Sequence, residues 1–215
     1  MLDALLVFVG SYLVGSIPVA FLIVRKSSDV DIRTSGSGNA GGFNAYVVTH
    51  SKMIGIIVGS LDALKGFVPV AVAGLIFPGS FLKQAIAMFG AIGGHNYSFW
   101  IGFKGGRGLS TAAGGMFILG FSYTLVWCVI WVVGRILKRD ILVSNLAAIF
   151  ATPLILWLLP WDMVHRLIAS PVDSSTFTFF TCMLSAVLCL SHLDVVREVW
   201  AGPAKEVTET TSNHT

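Results

Sequence analysis

The segment from Gly94 to Thr111 contains the residues whose types and spacing best suit the binding of an anion. It carries His95 and then a Lys-Gly-Gly-Arg-Gly run, in which two glycines separate Lys104 from Arg107. Glycines let backbone N–H groups approach an anion closely, and the N-terminus of a following helix adds a positive dipole. The run indicates either a phosphate-binding loop or a basic turn at the cytoplasmic face of a membrane protein.

A second polar stretch lies between Arg25 and Lys52 and contains Ser37, Asn39 and Asn44 among glycines and serines. Such a composition cannot face lipid, because its backbone groups would lack partners there. It therefore predicts a loop or a re-entrant turn that leads into a helix. Ser37, between two glycines, is either a substrate contact or an ordinary turn residue.

Two opposite charges, Asp62 and Lys65, lie three residues apart inside an apolar segment. This spacing puts them on one face of a helix. A charge near the middle of a membrane helix costs several kcal/mol if it faces lipid, so the pair must face a polar cavity or each other. The pair is either part of a site or an ion pair that locks helix packing.

Two histidines are further candidates for the same site. His95 follows two glycines and could orient Lys104 or donate to an anion, or it could simply be satisfied inside the bundle. His192 lies just past the last apolar segment and is a candidate general base, unless it is an interface histidine without a role. Ser144 follows a basic cluster on the same predicted side of the membrane.

The composition is that of an integral membrane protein. Of the 215 residues, 55% are hydrophobic and 12% are charged, which leaves too little polar surface for a soluble globule. The net charge of +3 is modest, and the basic residues group at the ends of apolar segments, which indicates topology and excludes nucleic-acid binding. All three cysteines lie in apolar segments, which favours a packing role over a disulfide or a metal site. We expect no metal and no cofactor.

The apolar segments predict an all-α polytopic membrane protein with about seven transmembrane helices and short cytoplasmic glycine-rich loops. The first span runs from Leu2 to Val24, and its Gly-Ser-Ile-Pro sequence at 15–18 predicts a kink that frees backbone groups for a neighbour or a ligand. The other spans are predicted at 53–77, 84–101, 142–160 and 176–190, with two more within 109–137.

The segment from Leu109 to Leu137 is either one long helix or a hairpin of two short ones. As a single helix it would measure roughly 44 Å. As a hairpin it places eleven basic residues on one side of the membrane and two on the other. The positive-inside rule therefore favours the hairpin, with the N-terminus outside and the C-terminus in the cytoplasm.

The chain after the last span predicts a short helix over 191–200 on the inner membrane surface. Beyond Gly202 and Pro203 we expect disorder. The predicted organisation is one transmembrane domain over 1–200 and a disordered cytoplasmic tail over 201–215.

Several motifs, in order and with their spacing kept, resemble the acyl-phosphate:glycerol-3-phosphate acyltransferase family of small bacterial membrane enzymes. The stretch at 36–44, G-S-G-N-A-G-G-F-N, is similar to the family signature G-S-G-N-x-G-A-T-N. The stretch at 62–66 is similar to D-x-x-K-G, and the stretch at 94–108 is similar to G-H followed by F-K-G-G-K-G. The match is specific from residue 10 to about residue 112.

The resemblance implies a seven-helix fold in the inner membrane of a bacterial cell and a site formed by cytoplasmic loops. It implies acyl phosphate as donor, glycerol 3-phosphate as acceptor at its sn-1 hydroxyl, lysophosphatidic acid as product, and no metal. The catalytic positions it implies are Ser37, Lys104 and His192. The substrate-binding positions it implies are Asn39, Asn44, Asp62, Lys65, His95, Arg107 and Ser144.

The chain departs from the family pattern at Phe43, Val47, Arg107, Val195, Glu198 and Ala204. Arg107 keeps the charge of the usual Lys but changes its donor geometry. The others replace Thr, Arg, Asn, Arg and Glu, so the donor loops match the family better than the acceptor side does.

Three hypotheses follow. The first is a glycerol-3-phosphate acyltransferase, and the second is a diverged paralogue with another acceptor or without activity. The third is a small membrane transporter or lipid-binding protein, against which the sequence shows no inverted repeat.

Overall fold

The computed structural model describes the backbone of residues 1–201 and the side chains of residues 1–197. The described chain is all-α, as predicted, with a short 3₁₀ turn at Phe99–Ile101. Its helices are α1 Leu2–Gly15, α2 Val19–Ser28, α3 Gly42–Thr49, α4 Lys52–Ile76, α5 Phe81–Asn96, α6 Leu109–Leu119, α7 Phe121–Ile136, α8 Ile141–Leu158, α9 Trp161–His165, α10 Ser174–Leu190 and α11 Leu193–Ala201. Residues 202–215 lie outside the described chain. They include most of the tail predicted to be disordered, 201–215, and the substitution at Ala204.

Three helical stretches in the described chain are long and apolar enough to cross a membrane: Leu2–Ser28, Lys52–Ile76 and Ile141–Leu158. Leu109–Leu119, Phe121–Ile136 and Ser174–Leu190 are apolar but shorter. The membrane character is therefore confirmed. The count of seven crossings and the orientation of the termini stay predictions.

The predicted kink in the first span separates α1 from α2, because Pro18 has no N–H to continue the helix. Two carbonyls freed by this break bind neighbouring helices. Ser98 donates its hydroxyl to the carbonyl of Ser16 at 2.5 Å, and Lys65 donates its Nζ to the carbonyl of Ile17 at 3.0 Å. The kink thus ties α4 and the segment after α5 to the first span.

Glycines let the central helices approach each other at backbone distance. A β-carbon on Gly66 in α4 would overlap the carbonyl of Thr111 in α6, and one on Gly114 would overlap the carbonyl of Ala63. Close packing of this kind takes the place of the hydrophobic effect between helices in lipid. It holds the start of α6, and the loop before it, against α4.

The segment 109–137 is the predicted hairpin. Its two helices meet at Gly120, and the N–H of Phe121 donates to the carbonyl of Leu167 in the loop after α9. From this turn α7 runs back, so that Gly134 packs against Ser144 at the start of α8. Both arms line one cavity, which brings the start of α6 beside α7.

The main core joins α5, α6, α7, α8 and α10, and its largest fully buried side chains are Phe177, Met88, Ile92, Met116, Leu119, Ile149, Leu184 and Leu188. The loop between α2 and α3, residues 29–41, is the first polar loop. A smaller cluster under it contains Val24, Ile32, Ala45, Val58 and Ile101.

The three cysteines are free. Cys128 and Cys182 lie on exposed helix faces, so the packing role predicted for these two is wrong, and only Cys189 packs against the core.

The close contact at Gly66 generates a stability prediction. Gly66→Ala should lower the free energy of unfolding by about 1–3 kcal/mol, because the added methyl group pushes α6 away from α4. The same change at Gly10, in α1, meets nothing within 4 Å and should leave stability unchanged or slightly raised. Thermal unfolding of both variants in detergent measures the difference, and equal midpoints would contradict the assigned packing.

Candidate active site

Asn44, in the first turn of α3, shapes the first polar loop. It is buried, its Nδ2 donates to the carbonyls of Ser35 and Asn39 at 3.0 Å, and its Oδ1 accepts from the N–H of Ser37 at 3.0 Å. Because the loop uses both ends of the amide, Asn44 positions Ser37 and Asn39. Asn44 also lines one of the polar cavities, and a contact with substrate stays a prediction.

Ser37 lies at the tip of this loop. Gly36 and Gly38 on either side have φ values of 59° and 70°, a conformation that glycine adopts at little cost. Ser37 is exposed, and its hydroxyl has no hydrogen-bond partner within residues 1–201. The tip therefore presents a free hydroxyl next to the side chain of Asn39.

The second loop, residues 102–108, contains the Lys-Gly-Gly-Arg-Gly run and leads into α6. It is hydrogen-bonded to the end of α5 and to the first loop. Gly105 donates its N–H to the carbonyl of Asn96 and Gly106 donates to the carbonyl of His95, both at 3.1 Å. The carbonyl of Gly105 accepts from the N–H of Ala40 at 3.2 Å, which joins the two loops. These two glycine N–H groups are therefore engaged within the protein, and the expected backbone cradle for an anion does not form there.

Two polar cavities lie where the loops meet, and they share Ser37, Asn39 and Arg107. The first, which we call the His192 cavity, has an empty volume of about 550 Å³, and its lining includes Asp62, His95, Leu109, Ser110, Asn145 and His192. The second, the Lys104 cavity, has about 650 Å³, and its lining includes Asn96, Tyr97, Lys104, Ser191 and Asp194.

The first turn of α6 contributes Leu109 and Ser110 to the His192 cavity, directly after Arg107. The positive end of the helix therefore faces the same space as a guanidinium. Lys104 is exposed and lines only the Lys104 cavity, so the two cations of the second loop flank the junction of the cavities.

Asp62 and Lys65 form a buried ion pair at 2.9 Å, with their side chains 2% and 8% exposed. Lys65 also holds the carbonyl of Ile17, and it lies outside both cavities. His95 brings its Nδ1 to 3.5 Å from the carboxylate of Asp62, and these two residues line the His192 cavity. Lys65 thus locks packing, while Asp62 and His95 form a wall of the cavity.

His192 has the geometry of a general base. It is fully buried, and its Nδ1 lies 2.7 Å from the carbonyl of Leu188. We assign the ring proton to Nδ1 because a carbonyl only accepts, which leaves Nε2 with a lone pair and no partner in the described chain. Burial and the nearby charge of Arg107 lower the pKa of His192, so the ring is neutral at neutral pH.

Arg107 is paired with Asp194 at 2.5 Å, and its carbonyl accepts the hydroxyl of Ser191 at 2.8 Å. Burial alone would raise the pKa of Asp194, but the hydrogen bond and charge of Arg107 outweigh it and lower that pKa. Asp194 was not among the predicted site residues. Its position two residues after His192 was the available signal.

Ser144, expected at the site, lies outside both polar cavities. It is buried, its hydroxyl donates to the carbonyl of Asp140 at 2.8 Å, and it packs against Gly134 instead of lining a cavity. The neighbouring Asn145 lines the His192 cavity in its place, because successive residues point about 100° apart around a helix.

Two of the departures from the family pattern line the cavities: Phe43 lines the His192 cavity, and Arg107 lines both polar cavities. Val47 is exposed on α3 and Val195 is buried on α11, and neither lines a cavity. The side chain of Glu198 lies outside the described residues.

A small apolar cavity adjoins the His192 cavity. It is lined by Leu109, Ala112, Ala113, Tyr123, Thr124, Trp127 and Leu188, and Leu109 belongs to both. Leu188 also supplies the carbonyl that orients His192. Anion-binding groups, a buried imidazole and an apolar space therefore meet at one place, an arrangement suited to a substrate with a phosphate and an apolar chain.

Comparison with known proteins identifies the family. The sequence model of the glycerol-3-phosphate acyltransferase family matches residues 5–202. A glycerol-3-phosphate acyltransferase from Synechococcus sp. (strain JA-3-3Ab) is 35% identical over 168 residues, which cover 78% of this chain and 81% of that protein. One from Rhodopseudomonas palustris (strain BisB5) is 32% identical over 198 residues, covering 92% and 93%.

Two solved structures share the fold. The crystal structure of PlsY (YgiH), an integral membrane glycerol 3-phosphate acyltransferase, in its glycerol 3-phosphate form is 28% identical, with a TM-score of 0.76 and coverage of 93% of this chain and 92% of that one. The lysophosphatidic acid form of PlsY (YgiH) gives a TM-score of 0.73 at 27% identity, with the same coverage. The sequence match, the shared fold and the motif residues at one site together show that the chain belongs to the glycerol-3-phosphate acyltransferase family.

Proposed function

We propose that this protein transfers a fatty acyl group from acyl phosphate to the sn-1 hydroxyl of glycerol 3-phosphate and releases lysophosphatidic acid and phosphate. The observation that carries the proposal is the junction of the three cavities: two polar ones meet at Arg107, and the apolar one adjoins through Leu109. The names of the relatives support this acceptor and this product.

The phosphate groups of both substrates suit the two cations of the second loop. Lys104 has no carboxylate partner among residues 1–197, so its charge is available to a ligand. Arg107 presents a planar fork of donors that matches phosphate, and the first turn of α6 adds its dipole. Together they place positive charge where the leaving phosphate gains negative charge.

The acyl chain of the donor suits the apolar cavity. Because Leu109 lines both this cavity and the His192 cavity, a chain that fills the first brings its carbonyl carbon to the wall of the second. There Ser37 and Asn39 supply a free hydroxyl and an amide that can donate to the carbonyl oxygen.

The transfer is an acyl substitution. The hydroxyl oxygen of the acceptor forms a bond to the carbonyl carbon, its proton passes to the Nε2 of His192, and a tetrahedral intermediate carries the negative charge. The intermediate collapses as the bond from carbon to the phosphate oxygen breaks. Inorganic phosphate leaves, and His192 then returns its proton to solvent or product.

The predicted charge asymmetry supports a cytoplasmic location of the site. It puts both loops and the C-terminus at the cytoplasmic face of a bacterial cell membrane and the N-terminus outside. On this topology the chain is a multi-pass protein with one transmembrane domain over 1–200. The soluble acceptor then arrives from the cytoplasm, and the apolar donor arrives from the surrounding membrane lipid.

The activity is tested with palmitoyl phosphate and glycerol 3-phosphate and the purified protein in detergent, by measuring lysophosphatidic acid and released phosphate. Lys104→Ala should lower kcat/KM by about 10²–10³-fold, because it removes a cation beside the developing charge. Lys26→Ala is the matched control, since Lys26 is exposed and lies outside the cavities.

Wild-type turnover by Lys104→Ala would remove Lys104 from the site. If the wild-type protein hydrolyses the donor but forms no lysophosphatidic acid at high protein concentration, the acceptor is a different molecule.

The role of His192 predicts the pH dependence of the reaction. A base acts only when neutral, so kcat/KM should fall as the pH drops through the pKa of His192, which lies below the usual 6.5. His192→Gln should lose about 10²–10⁴-fold in kcat/KM and also lose this acid limb. His165→Gln, at an exposed histidine, should keep the wild-type kcat/KM and the fall in activity at low pH. A His192→Gln profile with the limb intact would show that another group titrates.

The apolar cavity predicts a selective loss of long donors. Ala113→Leu fills the cavity from an exposed position on α6, so kcat/KM for palmitoyl phosphate should fall about tenfold while that for butyryl phosphate stays near wild type. Ala147→Leu, at an exposed alanine on α8 outside the cavities, should change neither. Equal losses for both donors in Ala113→Leu would place the chain elsewhere.

A further inference from the structure

Arg107 is the one cation of the second loop that already has an anionic partner among the described residues. The guanidinium of Arg107 lies 2.5 Å from the carboxylate of Asp194, and the two side chains are 12% and 60% exposed. Lys104, three residues earlier, has no such partner there. The position that joins the two cavities is thus neutralised by the protein itself.

The placement of Asp194 is that of a group outside the reacting centre. Asp194 lines the Lys104 cavity but not the His192 cavity, whereas Arg107 lines both. The carboxylate therefore approaches Arg107 from the side at which a soluble anion would enter. Asp194 lines neither the His192 cavity nor the apolar cavity.

The strength of this pair is low because Asp194 is mostly exposed. Exposed carboxylate–guanidinium pairs contribute little, since water and salt screen them. A phosphate carries more charge than a carboxylate and offers more oxygens to the fork of an arginine. A phosphate that enters the Lys104 cavity can therefore displace Asp194 from Arg107.

We propose that Asp194 is an internal counter-ion, which neutralises Arg107 in the substrate-free protein and is exchanged for the phosphate of the substrate. The inference rests on the proposed function of Arg107 as a phosphate ligand. Asp194 is a positioning residue that acts through Arg107, and its competition with phosphate weakens phosphate binding and assists phosphate release.

The exchange needs only a side-chain movement. Ser191 holds the carbonyl of Arg107 through its hydroxyl, and the N–H of His192 donates to the carbonyl of Cys189, so the chain before α11 stays attached when the carboxylate leaves. The first turn of α11, which begins at Leu193, loses its contact with the loop in the phosphate-bound state.

The opposite expectation holds if Asp194 only keeps Arg107 in place. Removing the carboxylate of Asp194 would then make the side chain of Arg107 more mobile, and phosphate would bind more weakly. The direction of the change in phosphate affinity therefore separates the two roles.

The test is calorimetric titration of the full-length purified protein in detergent with inorganic phosphate, which needs no turnover. Asp194→Asn should bind phosphate about two- to fivefold more tightly than wild type, the range expected for loss of an exposed competitor. Asp194→Glu keeps the competing charge and should resemble wild type. Asp29→Asn, at an exposed aspartate outside both cavities, controls for the change in net charge.

A double-mutant comparison keeps the inference apart from the function on which it rests. If Arg107→Gln leaves phosphate affinity unchanged, the proposed role of Arg107 fails. If Arg107→Gln weakens binding but Asp194→Asn binds phosphate no more tightly than wild type, only the counter-ion inference is overturned. When both hold, Asp194→Asn should have a smaller effect in the Arg107→Gln background.

Hydrogen exchange of the wild-type protein gives a second measurement that requires no variant. Saturating phosphate should speed amide exchange in α11, because the helix loses its contact with Arg107. Unchanged or slower exchange there would overturn the inference.

Discussion

The buried contact of Lys65 with Asp62 and with the carbonyl of Ile17 is the interaction on which the rest of the structure depends. The ammonium group would be very costly in an apolar bundle without these partners, and the carbonyl exposed by the kink would also lack a donor. The ammonium group of Lys65 therefore supplies the donor that the carbonyl of Ile17 needs. The contact fixes α4 against the break between α1 and α2, and it leaves the other side of Asp62 facing His95.

The two polar loops form one unit because their backbones and one buried amide are shared. Asn44 folds the first loop around itself, and Ala40 bonds to Gly105 of the second. The second loop is in turn bonded to the end of α5. Ser37, Asn39 and Arg107 therefore line the same two cavities without a hydrogen bond between their side chains.

The two ion-paired carboxylates near the cavities, Asp62 and Asp194, differ in burial. The carboxylate inside the bundle, Asp62, has a permanent partner in Lys65, whereas the exposed carboxylate, Asp194, has a replaceable hold on Arg107. The difference follows from desolvation, since both charges of the Asp62–Lys65 pair are buried, whereas the carboxylate of Asp194 is mostly exposed and water can solvate it. The same fold therefore contains one ion pair that is buried on both sides and one, between Arg107 and Asp194, that we propose a ligand exchanges.

The sequence by itself determined the all-α membrane fold, the kink before Pro18, a hairpin within residues 109–137 and the motif residues that line the cavities. These follow from composition, from helix-breaking residues and from charge asymmetry, all of which act locally along the chain. Only the tertiary structure decided which polar groups were already engaged. Gly105 and Gly106 use their N–H groups within the protein, and Ser144 turns toward α7 while Asn145 faces the cavity. The partners of Arg107 lie more than eighty residues away, and no local pattern encodes a contact across that separation.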